Sequence, residues 1–153
     1  MQRLTRKLSQ FLTLTTPDRR TFLAAMAMLP LFWVGLRVLG LQRLQTRLQR
    51  TPLRPSTTLT HDEIARLGAL VNSAAHHAIG PANCLTRSLY LWCLLRRRGV
   101  DSQLRIGVRL IQDRLDGHAW VEYAGVPVND RPDVSADFTP FAEPVSPSVF
   151  TTP

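Results

Sequence analysis

Residues 84–100 read CLTRSLYLWCLLRRRGV, and this stretch combines helical periodicity with a defined start and stop. Its apolar side chains recur at the spacing of one helix face: Leu85, Leu89, Trp92 and Leu95. This periodicity predicts a helix over residues 84–98 that packs on a core. Asn83 suits the N-cap of that helix, and Gly99 suits the left-handed residue that follows it.

The sequence downstream of this helix changes to a two-residue period. LRIGVR at 104–109 alternates apolar and other residues, which predicts a strand. GHAWVEYAGVPVND at 117–130 predicts a strand over 118–123, a turn at Ala124-Gly125 and a third strand over 126–129. A helix followed by a small antiparallel sheet predicts an α+β fold.

Cys84 is the first predicted residue of the helix, and this position favours a reactive thiol. A thiol attacks as its thiolate, and the free N–H groups and positive dipole end of a helix N-terminus stabilise an anion. The same N–H groups can stabilise an oxyanion on an attacked carbonyl, so Asn83 and Cys84 are predicted to line an oxyanion site. Cys93, between Trp92 and Leu94, is instead predicted to be a buried structural thiol.

His118 and Asp130 are the predicted partners of this thiol. The imidazole of His118 can draw the proton from Cys84 and pass it to a leaving amine, and Asp130 can orient the imidazole. This interpretation requires a three-residue loop over 123–125, because 118 then pairs with 130; with a two-residue loop Asp130 is expected to turn away. Trp120 shares the His118 face of the strand and is predicted to wall the pocket.

Spacing alone leaves other interpretations open for the same residues. A structural cysteine, a surface histidine and a turn aspartate would give the same pattern. Asp130 precedes Arg131 and Pro132, and aspartate is common in such turns.

Composition limits the class of protein and of site. With 153 residues and 44% hydrophobic residues, the chain can form one compact domain plus an appendage. Cys84 and Cys93 lie on one predicted helix about 13 Å apart along its axis, too far for a disulfide, and both are predicted to be reduced. The histidines and cysteines have no zinc-site spacing, so no metal or other cofactor is predicted.

Most of the positive charge lies in the N-terminal third of the chain. The net charge is +8; residues 1–54 carry ten basic residues against Asp18, and residues 55–153 carry nine against ten acidic ones. A basic segment suits an anionic membrane surface, an acidic partner or nucleic acid. Few aromatic residues lie among these basic residues, which argues against nucleic acid as a partner.

The basic segment is predicted to be helical, starting at an N-cap on Thr16. Residues 22–41 are nearly all apolar, with Pro30 and Arg37 as interruptions, and basic residues follow Gly40. Three interpretations remain: a helical hairpin packed on the domain or a partner, peripheral contact with a membrane, or a membrane span. We therefore divide the chain into a basic apolar helical segment, 1–54, and a domain, 55–153.

After residue 50, three features are predicted from local signals. Residues 51–59 have the composition of a linker. Thr60 and Glu63 form a capping box that starts a helix ending at Gly80-Pro81. From about residue 131 onward, frequent prolines predict an irregular tail.

The three segments 84–100, 104–109 and 117–130 resemble the B2 proteins of lasso peptide biosynthesis, which are transglutaminase-like leader peptidases. The resemblance covers most of 60–135, and its motifs are C-L-x-R-S-L with L-R-R-R-G, and H-A-W-V-E with a following V-N-D. Gly117 departs from the pattern, where alanine is often found. The resemblance implies a transglutaminase- or papain-like core, in which a helix carrying the cysteine packs on a small antiparallel sheet.

The resemblance also implies a function and its partners. The chain would be a cysteine protease with Cys84 as nucleophile, His118 as base and Asp130 as orienting acid, cleaving the leader from a lasso peptide precursor in the cytoplasm. Expected partners are the precursor peptide, a separate leader-binding B1 protein and an ATP-dependent lasso cyclase. The alternative is a non-catalytic scaffold subunit that docks on a membrane or a biosynthetic partner through its basic helices.

Overall fold

A computed structural model describes residues 14–50 and 59–140 of the chain. The described residues form four helices and four strands in the following order. They are α1 (Thr16–Gln49), α2 (His61–Ala75), α3 (Cys84–Arg97), β1 (Gln103–Ile111), β2 (Arg114–Tyr123), β3 (Val126–Pro127), α4 (Val134–Asp137) and β4 (Thr139–Pro140). The predicted α+β class is confirmed.

Helix α1 begins one residue earlier than predicted and is broken near its end. Thr15 is the N-cap; its hydroxyl bonds the carboxylate of Asp18 at 2.6 Å. Gly40 has φ 74° and ψ 166°, a non-helical conformation that interrupts the helix. A Cβ atom on Gly35 would lie 3.1 Å from the Leu44 side chain. A straight helix would separate residues 35 and 44 by about 13 Å, so the chain turns back at Gly40. This turn agrees with the helical hairpin, one of the three interpretations of the segment.

Helix α2 starts with the predicted capping box and is tied to the start of α1. The Thr60 hydroxyl accepts from the Glu63 N–H, and the Glu63 carboxylate accepts from the Thr60 N–H at 2.7 Å. Arg66 donates to Asp18 at 2.5 Å. The hydrogen bond from Thr15 and the pairing with Arg66 lower the pKa of Asp18. The helix ends at Ala75, earlier than the predicted Gly80, with His76 as its C-cap.

The main core lies where the first three helices meet one face of the sheet. Its buried residues include Ala25, Leu29 and Phe32 of α1, Ile64 and Val71 of α2, Leu89, Leu91 and Leu95 of α3, and Leu104 and Val121 of the sheet. Helix α1 therefore contributes to the same core as the predicted domain. The division at residue 54 stays a prediction, and most of the predicted linker (51–58) lies outside the described residues.

The strands form one antiparallel sheet in the order β3-β2-β1-β4. Strand β2 starts at Arg114, four residues before the strand predicted over 118–123, and Gln112-Asp113, which both have positive φ, form the turn that joins it to β1. This two-residue turn lets β1 and β2 pair along their whole length. His118 lies opposite Gly107 in that register.

The prediction of an irregular tail from residue 131 is wrong for residues 134–140. Val134–Asp137 form a helical turn, and Thr139–Pro140 pair with β1 as an edge strand, where proline is tolerated. Val134 and Phe138 are buried with Trp120 in a second, smaller core on the sheet face that carries His118. The two apolar side chains hold this segment on the sheet despite the prolines. The remainder of the predicted tail, from residue 141, lies outside the described residues.

Candidate active site

Cys84 occupies the first residue of α3, as predicted. Asn83 is the N-cap: its Oδ1 accepts hydrogen bonds from the Thr86 N–H and the Thr86 hydroxyl, both at 2.9 Å. These bonds fix the point at which the helix starts. The thiol of Cys84 is half-buried at that end, where unpaired backbone N–H groups face outward.

Cys93 lies in a different environment on the same helix. It is only 6% exposed, within the main core, and burial raises the pKa of its thiol. Both cysteines are free. A thiol that is buried and disfavoured as an anion is a poor nucleophile, so Cys93 serves as an internal comparison for Cys84.

His118 and Asp130 are in direct contact. His118 Nε2 lies 2.6 Å from Asp130 Oδ2, and the second carboxylate oxygen accepts from the Arg131 N–H at 2.8 Å. Each of the two side chains is 21% exposed. The contact through Nε2 leaves Nδ1 of His118 as the ring atom available to a reacting group.

The contact forms without the three-residue loop over 123–125 that the sequence-based hypothesis requires. Glu122 pairs with Pro127 and Tyr123 with Val126, which is the two-residue loop. Asp130 nevertheless reaches His118 because β3 ends at Pro127 and the chain bends over residues 128–130. Once the backbone leaves the ladder, strand alternation no longer dictates where the Asp130 side chain points.

The open edge of β2 brings α3 close to this pair. The carbonyl of Val121 accepts a hydrogen bond from the Val128 N–H, so the backbone groups of Val121 point towards β3. The backbone groups of Ala119, two residues earlier, point to the same edge. There Ala119 O accepts from the Ser88 hydroxyl of α3 at 2.9 Å. Cys84 precedes Ser88 by one helical turn and lies on the same helix face. Because β3 is short, the first turns of α3 can cover this edge beside His118.

The structure does not join all three predicted residues by hydrogen bonds. His118 and Asp130 are paired, whereas no hydrogen bond connects the thiol of Cys84 to His118 among the described residues. Catalytic hydrogen bonds are often long before substrate binds. The role of Cys84 stays a prediction at this point.

Asn129 is a residue of this region that the sequence-based analysis did not single out. Its Oδ1 accepts from the Val121 N–H at 2.8 Å, its Nδ2 donates to Ser88 Oγ at 2.9 Å, and its carbonyl accepts from Asn72 Nδ2 at 2.7 Å. The signal available in the sequence was an asparagine at a strand end, where its side chain commonly bonds backbone groups. Its partners on α2 and α3 are distant in sequence and could not be read from that pattern.

An aromatic ring stacks on His118. The Phe138 ring centroid lies 4.9 Å from that of the imidazole, with 28° between the two planes, and the Arg109 guanidinium lies 4.3 Å from the centroid of the Phe138 ring. Gly107 leaves room for this packing, since a Cβ there would approach Trp120 at 2.9 Å and Phe138 at 3.0 Å. Phe138 was not predicted because its segment was expected to be irregular.

The two predicted pocket residues differ in their surroundings. Trp120 shares the His118 face but has no exposed surface, and its Nε1 donates to Glu122 at 2.8 Å; it supports the pocket from beneath instead of lining it. Asn83 is exposed, and its Nδ2 makes no hydrogen bond to any described residue. That N–H pair is therefore available to an oxyanion, which keeps the prediction for Asn83 open.

A cleft of about 340 Å³ opens beside Asp130. It is lined by Ala65, Ala69, Asn72, Val128, Asn129, Asp130 and Arg131. Small side chains on α2 form one wall and the bend after β3 forms the other. Among the described residues, no group of three His, Cys, Asp or Glu side chains is placed to hold a metal ion.

Comparison with known proteins identifies the family. A family profile described as Transglutaminase-like superfamily matches residues 25–143, which include α1 from Ala25 onward and the whole candidate site. The chain belongs to the transglutaminase-like superfamily. This membership confirms the transglutaminase-like family and the fold class that were predicted from the residues around Cys84 and His118.

A curated relative of this transglutaminase-like chain is the microcin J25-processing protein McjB of Escherichia coli. The two are 34% identical over 85 residues, which are 56% of this chain and 38% of the relative. The chain thus matches well under half the length of that protein. No solved structure gives a significant match to the transglutaminase-like chain.

Proposed function

We propose that this protein is a cysteine peptidase that removes the leader from a lasso peptide precursor. The observation that carries the proposal is the 2.6 Å contact between His118 and Asp130 at the strand edge that the Cys84 helix covers. The similarity to a peptide-processing protein and the resemblance of residues 84–130 to B2 proteins support the substrate class.

The chemistry assigned to these residues has two stages. The thiol of Cys84 gives its proton to His118 and attacks the carbonyl carbon of the scissile peptide bond, and the oxyanion is stabilised by N–H groups at the start of α3. The intermediate collapses when His118 passes the proton to the leaving amine, which becomes the N-terminus of the core peptide. The leader remains on Cys84 as a thioester.

Water completes the cycle. His118 takes a proton from water, the hydroxide attacks the thioester, and the leader leaves as a carboxylate while the thiol is regenerated. Asp130 holds the imidazole through Nε2 and stabilises its charged form in both stages. An amine in place of water would give transfer of the leader instead of hydrolysis.

The two cysteines provide the test. We expect Cys84→Ala to abolish cleavage of a precursor peptide and Cys93→Ala to retain it. Circular dichroism checks that both variants are folded. Cleavage is followed by mass spectrometry, with the leader-binding partner present. Full activity of the Cys84 variant would contradict Cys84 as the nucleophile. Absence of cleavage by the unsubstituted chain would favour the non-catalytic scaffold.

We also propose that the outer face of α1 rests on an anionic lipid surface. One side of α1 places Ala25, Leu29 and Phe32 in the core. The opposite side presents a second apolar row to solvent at spacings of three and four residues: Leu23, Ala27, Leu31, Val34 and Val38. Four of these are between 48% and 73% exposed. We call this row the outer face of α1.

Charge supports lipid as the occupant of the outer face. Residues 19–50 contain six arginines and no acidic residue, and the exposed Arg20 and Arg37 border the apolar row. Basic residues beside an apolar helix face suit the headgroups of anionic lipids. Helix α1 is long and apolar enough to cross a bilayer by length and composition. A span would, however, pull Leu29 and Phe32 out of the protein core, so contact in the membrane plane is favoured.

Vesicle sedimentation of the full chain tests this contact. We expect binding to vesicles containing phosphatidylglycerol, weaker binding to phosphatidylcholine alone, and a decrease with added salt. Replacing Leu31 and Val38 by Glu should remove binding, whereas Ile79→Glu, at an 88% exposed site elsewhere, should not. Absence of binding to both vesicle types would contradict the proposal. A dimer lost in the same variant would show that a second copy covers the outer face.

A further inference from the structure

Asn129 connects three elements through hydrogen bonds. Its side chain accepts from Val121 of β2 and donates to Ser88 of α3, while its carbonyl accepts from Asn72 of α2, all between 2.7 and 2.9 Å. Ser88 in turn donates to Ala119 of β2 at 2.9 Å. Strand β3 ends two residues earlier, so the Asn129 side chain takes the place of the missing ladder partner.

The orientation of the Asn129 amide follows from its partners. A backbone N–H can only donate, so the atom facing Val121 is the carbonyl oxygen. The Ser88 hydroxyl uses its hydrogen on Ala119 O, so Ser88 Oγ must accept from the amide nitrogen. Each bond between Asn129, Val121, Ser88 and Ala119 thus joins one donor to one acceptor, and only asparagine supplies both groups at this length.

Two parts of the candidate active site lie next to this network. Cys84 is one helical turn before Ser88 on the same helix, and Asp130 follows Asn129 in the chain. A shift of α3 along the edge of β2 would move the thiol. A shift of the bend after β3 would move the carboxylate that holds His118. Asn129 restrains both movements at once.

We infer that Asn129 is a positioning residue that fixes the Cys84 helix relative to the His118–Asp130 pair. The inference rests on the proposed function, since it concerns proton transfer between Cys84 and His118. Asn129 itself touches no reacting group. Its effect is to keep the start of α3 at the strand edge where the imidazole can reach the thiol.

The experiment measures thiol reactivity in the full-length chain carrying Cys93→Ala, which leaves Cys84 as the only cysteine. The rate of alkylation by iodoacetamide is recorded against pH, and its midpoint reports formation of the thiolate. We expect Asn129→Ala to raise this midpoint by about one pH unit, towards that of a free cysteine. We expect kcat for precursor cleavage to fall about 100-fold with little change in KM.

Two further variants keep the test decisive. Thr60→Ala is the control for a modest loss of stability, because it removes the α2 capping box. It should leave the alkylation midpoint unchanged. Ser88→Ala removes the partner of the Asn129 amide and should raise the midpoint in the same direction. It carries the test if Asn129→Ala does not fold.

An unchanged midpoint in both Asn129→Ala and Ser88→Ala, with a lowered melting temperature, would overturn the inference and leave these residues a structural role. Failure of the proposed function would be seen in another protein, the chain that carries Cys93→Ala and keeps Asn129. Its Cys84 would then alkylate like a free cysteine, and the chain would not cleave the precursor.

Discussion

Phe138 shows how one residue distant in sequence completes the surroundings of His118. Its ring stacks 4.9 Å from the imidazole, is itself covered by Arg109, and is only 6% exposed. The ring covers part of one face of the imidazole and excludes water from it. His118 is therefore held by a hydrogen bond at Nε2 and by stacking on its face.

We expect Phe138→Ala to lower both stability and cleavage. Loss of a buried phenylalanine side chain should cost about 3 kcal/mol in the free energy of unfolding. The freed imidazole should reduce kcat by about tenfold, because a catalytic group loses its fixed orientation. Denaturant unfolding and initial cleavage rates measure the two effects. Phe138→Tyr, which keeps the ring, is the control, and a Phe138→Ala enzyme of unchanged kcat would contradict this role.

At the scale of elements, helix α2 approaches the bend after β3 more closely than side chains would allow. A Cβ on Gly68 would lie 2.0 Å from Val128 O, and Gly68 is buried. Asn72, one turn later, bonds the carbonyl of Asn129. The glycine therefore sets how near α2 comes to the segment that presents Asp130.

We expect Gly68→Ala to destabilise the protein by several kcal/mol, or to push the bend outward and reduce cleavage, because backbone atoms must move to admit the methyl group. Gly117→Ala is the matched control: a Cβ there meets nothing within 4 Å, so its effect should stay within about 0.5 kcal/mol. Thermal unfolding and cleavage assays measure both variants. Equal stability of the two variants would show that the α2 contact is not as close as described.

At the scale of the whole molecule, α1 decides whether the chain unfolds as one unit. Leu29 of α1 is 1% exposed in the core shared with α2 and α3, and Leu31, two residues on, is 62% exposed on the outer face. A helix with apolar residues on opposite sides both stabilises the fold and presents a surface to a partner. The matched superfamily profile likewise starts within α1, at residue 25.

We expect Leu29→Ala to shift the whole unfolding transition, because the core is shared. The loss should be about 3 kcal/mol and should be seen equally by tryptophan fluorescence and by circular dichroism, whereas Leu31→Ala should change little. A separate early transition for α1, with the later transition unmoved, would instead support independent behaviour of residues 1–54 and 55–153.

The sequence by itself determined where the first three helices start, to within one residue, and which residues are candidates for the site. The capping box at Thr60 and the N-cap at Asn83 depend on residues three positions apart, so local pattern predicts them well. The two-residue period likewise located β1 and much of β2. These features, together with the segments that resemble B2 proteins, were enough to recognise a transglutaminase-like chain.

Only the tertiary structure decided how those residues meet. The observed β2–β3 register would turn Asp130 away if the strand continued, yet the bend after Pro127 returns it to His118. The network of Asn129, the packing of Phe138 and the exposure of the outer face of α1 all depend on contacts between residues far apart in the chain. Such contacts form only when helices and sheet pack together, and no local pattern encodes them.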